Sequence, residues 1–179
     1  DGAITADSEA RLNAKTGNLT ITAGAFGGDI GMSRATLSAA GNMVLSALSG
    51  SVVQDYLSSA SDSTSGEQII SGLVSADQLT VQAASAITLR TAVAKADDLR
   101  LSEAGNIQIV NVGSLAVTSA QTTDGAISIS SYGSLSVVSA VALGKSDAND
   151  ISLRATNLPG LAVAARTAAN LSVGVLSTA

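Results

Sequence analysis

Residues 100–140, RLSEAGNIQIVNVGSLAVTSAQTTDGAISISSYGSLSVVSA, repeat one short pattern four times, as GNIQI, GSLAV, GAISI and GSLSV. Each copy begins with glycine and places two aliphatic residues two positions apart. Because the side chains of a β-strand alternate between its two faces, each pair predicts a short strand with one apolar face. Similar pairs occur from Leu19/Ile21 to Leu171/Val173, so the pattern covers most of the chain.

The aliphatic pairs recur with a step of about 20 residues, which is the length of one repeat in a solenoid. Ile87, Ile107 and Ile127 form the clearest series. The same step connects Leu79 with Leu99, Leu115 with Leu135, and Ile151 with Leu171. A chain that returns to the same residue type at a fixed step is predicted to wind, with each strand stacked on its counterpart one turn earlier.

The sequence therefore predicts an all-β parallel β-helix (β-solenoid) with about 20 residues and two or three short strands per turn, and roughly eight to nine turns. The aliphatic residues named above would form vertical columns in its core. Each fully buried side chain of this kind stabilises the fold by about 1.5–3 kcal/mol. We expect residues 1–179 to form a single segment.

The period is lost between residues 46 and 76, where the centre of the stretch, QDYLSSASDSTSGEQ, is polar and rich in serine. We expect a loop around residues 54–68, because solenoids accept insertions at their corners; alternatively, the stretch caps one face. Its polar and aromatic residues make it a candidate interaction loop: Asp55, Tyr56, Asp62 and Glu67. The Ala-rich residues 161–173 would tolerate a helix on propensity alone, but both ends fit the strand pattern.

The composition argues against catalysis. The chain has no histidine and no cysteine, which excludes nucleophile systems based on these residues as well as thiolate or imidazole metal sites. The net charge is −5, and the nine Lys and Arg residues are scattered, so nucleic acid is not an expected partner. We predict no catalytic residues, no metal site and no cofactor.

Two motifs have a chemical interpretation beside a structural one. Asp97 and Asp98 are the only adjacent acids, and a carboxylate pair would serve glycoside hydrolysis; a solvated corner with the two side chains pointing apart is the preferred interpretation. The glycine-rich AFGGDIG at residues 25–31 lacks the Lys and Ser/Thr of a phosphate-binding loop and indicates a tight corner. A carbohydrate-binding or polysaccharide-cleaving β-helix is the alternative to a structural role, although the outward strand positions are small and mostly neutral.

The apolar residues alternate with Ser, Thr, Gln and Asn, and no run reaches the roughly 18 residues expected of a membrane span. We therefore expect no membrane insertion. The first residues lack the basic and apolar regions of a signal peptide. The chain opens in mid-pattern, so we expect an excised or mature segment. Neither end has the pattern of a capping helix, so the outer strands are expected to continue into neighbouring repeats of a longer chain or to stack head to tail on another copy.

The chain resembles the repeat region of filamentous-haemagglutinin-type exoproteins, which are large bacterial β-helix adhesins exported by two-partner secretion. The resemblance lies in GNLTITAG (17–24), AAGNMVLSA (39–47), EAGNIQI (103–109), DGAISI (124–129) and GSLSVVSA (133–140). The secretion domain of that family carries Asn-Pro motifs, whereas the only proline here is Pro159 in NLPG. The resemblance thus implies a stalk region: a stiff extracellular or cell-surface rod or fibre unit, with host or neighbour-cell glycans or proteins as partners.

Overall fold

The computed structural model describes residues 2–6, 10–24, 28–55, 72–144, 149–157 and 169–178, except for the side chain of residue 55. These residues are all-β, contain no helix, and form fifteen strands in one sheet that is not closed into a barrel. The strands are β1 (Ile4–Ala6), β2 (Arg11–Ala14), β3 (Leu19–Thr22), β4 (Ile30–Ser33), β5 (Thr36–Ala39), β6 (Asn42–Ala47), β7 (Val52–Asp55), β8 (Val74–Ala83), β9 (Ala86–Leu101), β10 (Asn106–Val112), β11 (Leu115–Thr122), β12 (Ile127–Tyr132), β13 (Leu135–Ala142), β14 (Ile151–Ala155) and β15 (Leu171–Thr178).

Parallel pairing arranges these strands in three ladders. The first ladder contains β1, β4, β7, the start of β9, β10, β12 and β14. The second contains β3, β6, the ends of β8 and β9, β11, β13 and β15. The third contains β2, β5, the start of β8 and the middle of β9. We define a layer as one first-ladder strand together with the strands that follow it in sequence, up to the next first-ladder strand. This gives seven layers, numbered 1 to 7 in chain order: β1–β3, β4–β6, β7–β8, β9, β10–β11, β12–β13 and β14–β15.

The core is built from inward-facing aliphatic side chains that stack from layer to layer. Ile87, Ile107 and Ile127 are direct register partners in the first ladder, and all three are buried. Leu115 and Leu135 pair in the same way in the second ladder. Gln108, next to Ile107, is exposed on the outer face. In layers 4 to 6 the structure therefore has the stacking that the 20-residue step predicts.

The predicted pairing of Leu79 with Leu99 is wrong. Leu79 pairs with Ala96, and Leu99 pairs with Val81. The reason is that β9 continues from the first ladder through the third into the second as one strand, without a loop at either corner. The step from β8 to its partners in β9 is consequently shorter than 20 residues, since Leu79 pairs with Ala96 and Val81 with Leu99.

The predicted pairing of Ile151 with Leu171 is also wrong. Ile151 stacks on Ile127 in the first ladder, whereas Leu171 stacks on Leu135 in the second. Both residues lie in layer 7, so their separation spans two strands of one layer instead of two successive layers.

The described layers number seven, fewer than the eight to nine turns expected, because several layers contain insertions. The largest lies in layer 3, where β7 ends at Asp55 and β8 begins at Val74. The predicted loop lies mostly outside the described residues, as do Tyr56, Asp62 and Glu67, and of Asp55 only the backbone is described. Most of the Ala-rich stretch also lies outside them, and its end forms the start of β15.

Candidate functional site

The adjacent acids Asp97 and Asp98 lie within β9, on the outer face of the second ladder. An irregularity in the pairing with β8 joins Leu79 to Ala96 but Thr80 to Asp98, which leaves Asp97 as an extra, bulged residue. A bulge interrupts the alternation of faces. Both carboxylates therefore reach the outer surface, whereas alternation alone predicts opposite faces.

Each carboxylate has a basic side chain within ion-pair distance. The Lys95 Nζ lies 3.1 Å from Asp97 Oδ1, and the Arg100 guanidinium lies 3.7 Å from Asp98 Oδ1. The hydrogen bond from Lys95 is the main cause that lowers the pKa of Asp97, and Thr118 adds to the effect. A general acid for glycoside cleavage needs a raised pKa, so Asp97 is poorly suited to that role.

The glycine-rich corner carries Asp29, whose Oδ1 accepts a hydrogen bond of 2.6 Å from the backbone N–H of Ser51. This contact joins layer 2 to layer 3 and supports the structural interpretation of the motif. Residues 25–27 of the motif lie outside the described part.

Next to Asp29, a shallow groove of about 460 Å³ crosses the outer face of the first ladder, where Gly31 lies between Thr5 and Val53. Within the described ranges, no three His, Cys, Asp or Glu residues come together as a metal site.

Corner side chains form a second connection between layers, which the sequence analysis missed. The Oδ1 atoms of Asn18 and Asn106 accept hydrogen bonds from the backbone N–H groups of Asn42 (2.9 Å) and Ala126 (2.8 Å) in the next layer. A serine does the same between layers 5 and 6, where the Ser114 Oγ accepts a hydrogen bond from the N–H of Ser134 at 3.1 Å. The Gly-Asn dipeptides that open several repeats were the available signal.

A polar column inside the core was also missed. Thr91, Asn111 and Ser131 are successive register partners with no exposed surface. The Thr91 Oγ1 donates to Asn111 Oδ1 at 2.8 Å, and the Val93 N–H donates to the same oxygen at 3.0 Å. The Asn111 Nδ2 donates to the carbonyl of Gly113 at 3.1 Å. The corner after β10 is thus fixed from within, because buried polar groups are costly unless they are paired.

Gly105 and Gly125, which lie one repeat apart in the sequence, occupy a corner where the backbones of successive layers approach closely. A Cβ atom at Gly105 would overlap the Ser85 carbonyl, and one at Gly125 would overlap the Gly105 carbonyl. Gly125 also has a positive φ of 144°, which disfavours other residues. These glycines therefore serve the stacking of layers.

Several exposed apolar side chains lie in the first and last layers of the stack. In layer 7, Leu171, Val173 and Leu176 are between 37% and 51% exposed, although their partners in β13 are buried. In layer 1, Ile4 and Leu12 are also exposed. Among the described strands, those of layers 1 and 7 pair on one side only.

The described residues contain no helix that is long and apolar enough to cross a membrane. Comparison of the chain with protein-family models, curated proteins and solved structures found no match.

Proposed function

We propose that the chain is a β-solenoid segment, each layer being one turn, that acts as a rigid, non-catalytic rod or stalk in a large bacterial surface or secreted protein of the filamentous-haemagglutinin type. One observation carries the proposal: a single inward column of the first ladder runs from Ile4 to Ile151 through all seven layers. Parallel neighbours lie about 4.8 Å apart, so six steps give a height of about 29 Å.

The contacts between layers support a mechanical role. Each layer is joined to the next by backbone pairing, by aliphatic columns and by corner side chains such as Asn106. The best acid pair is engaged in ion pairs, and the pKa of Asp97 is lowered. A structure of this kind is suited to holding an attached part at a fixed distance. Its location outside the cell is proposed from the resemblance of the repeats, and labelling of intact producing cells with antibodies tests it.

Distance measurements between spin labels test the rod directly, because the chain has no native cysteine. Thr5, Gln108 and Ser152 occupy one outward column of the first ladder. With cysteine at these positions, we expect about 19 Å between 5 and 108 and about 29 Å between 5 and 152, in proportion to the number of layers crossed. Narrow distance distributions would report rigidity.

Distances that do not increase with the number of layers would contradict the solenoid. The non-catalytic part of the proposal has a separate readout, in which the purified protein is incubated with acidic polysaccharides. Release of reducing or unsaturated ends that is lost in Asp98→Asn would overturn it.

A further inference from the structure

The backbone pairing of the first ladder has a gap between layer 3 and layer 4. β7 pairs with β9 through only two of its residues, Val52 and Val53, whereas β9 and β10 pair through six. The pairing of β9 with layer 3 resumes at Thr91, where β8 begins. Within the described part of the chain, Leu89 and Arg90 therefore have no strand partner on the layer 3 side.

The side chain of Gln54 lies at this gap. Gln54 is 1% exposed, and a buried amide is costly unless it is hydrogen-bonded. It occupies an inward column whose other described members are all apolar. They are Ala6, Met32, Leu89, Ile109, Ile129 and Leu153. A hydrocarbon side chain would match this column, so the amide at Gln54 must have a role that hydrocarbon cannot fill.

The Gln54 amide makes hydrogen bonds across the gap in both directions. Its Oε1 accepts from the backbone N–H of Arg90 in layer 4 at 2.8 Å. Its Nε2 donates to the carbonyl oxygen of Ala35 in layer 2, at a longer distance of 3.4 Å. Because an amide side chain carries both an acceptor and donors, this one residue replaces the backbone groups that a continuous strand in layer 3 would offer to its two neighbours.

The chain returns to layer 3 directly against this amide, at Gly72. Gly72 has a positive φ of 76°, and a Cβ atom there would come within 2.9 Å of both the Gln54 Nε2 and the Arg34 Cα. On the other side of the gap, Asp55 pairs with Ser33. Asp55 and Gly72 thus lie beside two adjacent residues of layer 2, so the insertion leaves the layer and rejoins it at one place.

We propose that Gln54 bridges layers 2 and 4 in place of a missing length of backbone, so that the rod stays continuous whatever chain connects Asp55 to Gly72. The inference rests on the proposed solenoid rod and extends it, because it makes layer 3 a point where the rod carries an insertion without depending on it. Segments of different length and sequence can then be accommodated at this corner, since the closing of a flexible loop depends only weakly on its length.

Amide hydrogen exchange followed by NMR tests the bridge. In the unaltered protein the Arg90 N–H should exchange about as slowly as the Val93 N–H, which is also accepted by a buried side-chain amide. Gln54→Leu keeps a side chain of similar size and should speed exchange at Arg90 at least about tenfold, because the acceptor is lost. Met32→Leu, in the same column one layer earlier, is the matched control and should leave exchange at Arg90 unchanged.

Replacement of residues 57–70 tests the independence of the rod from the insertion. One variant has a Gly-Ser linker of equal length and a second has a linker of half that length. Both should keep the spin-label distances proposed for the rod. The ratio of folded to unfolded protein, measured in urea, should differ between the two variants by no more than about threefold.

Three results would overturn the inference. Fast exchange at Arg90 in the unaltered protein would show that Gln54 does not bridge the gap, and this measurement does not require Gln54→Leu to fold. Equal acceleration in Gln54→Leu and Met32→Leu would assign the effect to packing. Unfolding of both linker variants would show that the rod depends on the inserted segment. If the spin-label distances of the unaltered protein still increased with layer number, the proposed rod would stand and only the inference would fail.

Discussion

The central layers and the last layer contain the same columns but give their side chains different surroundings. Leu135 in layer 6 is 1% exposed, whereas Leu171, its register partner in layer 7, is 49% exposed. The difference arises because Leu135 has a paired layer on each side and Leu171 has one on a single side. In such a stack, a side chain is buried by the layers above and below it, so the stability of each layer depends on its contacts with the two adjacent layers.

Ile107→Asp should have the largest effect, because Ile107 is held between Ile87 and Ile127. An ionised carboxylate would be buried without a partner, which costs several kcal/mol. We expect urea unfolding to show a loss of more than about 4 kcal/mol, or no folded protein.

Gln108→Asp is the matched control, because it introduces the same side chain one position away on the exposed outer face. Its effect should stay within about 0.5 kcal/mol. Equal losses in the two variants would show that the assignment of inward and outward faces is wrong.

The central layers were predictable because their sequence signals are local and repeat without insertion. The pairs at Ile107/Ile109 and Ile127/Ile129 each follow a glycine and alternate with polar residues, which fixes both face and register. The 20-residue step does not predict the partner of Leu79. The reason is that the bulge at Asp97 and the uninterrupted strand β9 depend on the pairing of strands that are distant in sequence. The polar column could not be predicted, because Asn111 lies two residues before Gly113, and Asn and Gly close together are typical of a surface turn.

Leu135→Ala and Leu171→Ala compare the loss of stability on truncating a leucine in layer 6 and in layer 7. The substitution is identical and the two residues share one column. In the buried position it should cost about 2–5 kcal/mol, because it also leaves a cavity. At the half-exposed position it should cost only about 1 kcal/mol in the monomer.

Urea unfolding at low protein concentration measures both values. Equal costs would mean that Leu171 is covered in solution. A cost for Leu171→Ala that rises with protein concentration would instead indicate that the protein associates through layer 7, since association stabilises the folded state by mass action.

A second contrast lies within one column of the core. In layers 1 to 3 the column that lines the corner is apolar, with Leu12, Leu37 and Val74, and in layers 4 to 6 it becomes Thr91, Asn111 and Ser131. The change coincides with the loss of the loops between the first and third ladders. Where β10 leads directly into a tight corner, Asn111 accepts the Val93 N–H and donates to the Gly113 carbonyl. A hydrocarbon side chain would leave the Val93 N–H unpaired, and the Gly113 carbonyl would keep only the hydrogen bond from the Ser131 Oγ.

Asn111→Ala should therefore cost about 2 kcal/mol, because it removes the acceptor for the Thr91 hydroxyl and for the Val93 N–H in the interior. Thr91→Val in the normal background should cost about 1 kcal/mol for the lost hydrogen bond. In the Asn111→Ala background the same change should cost nothing or be slightly stabilising, since it removes a hydroxyl that no longer has a partner. A double-mutant cycle in urea measures this coupling. Additive effects would show that the two side chains act independently, and that the polar column does not hold successive layers in register.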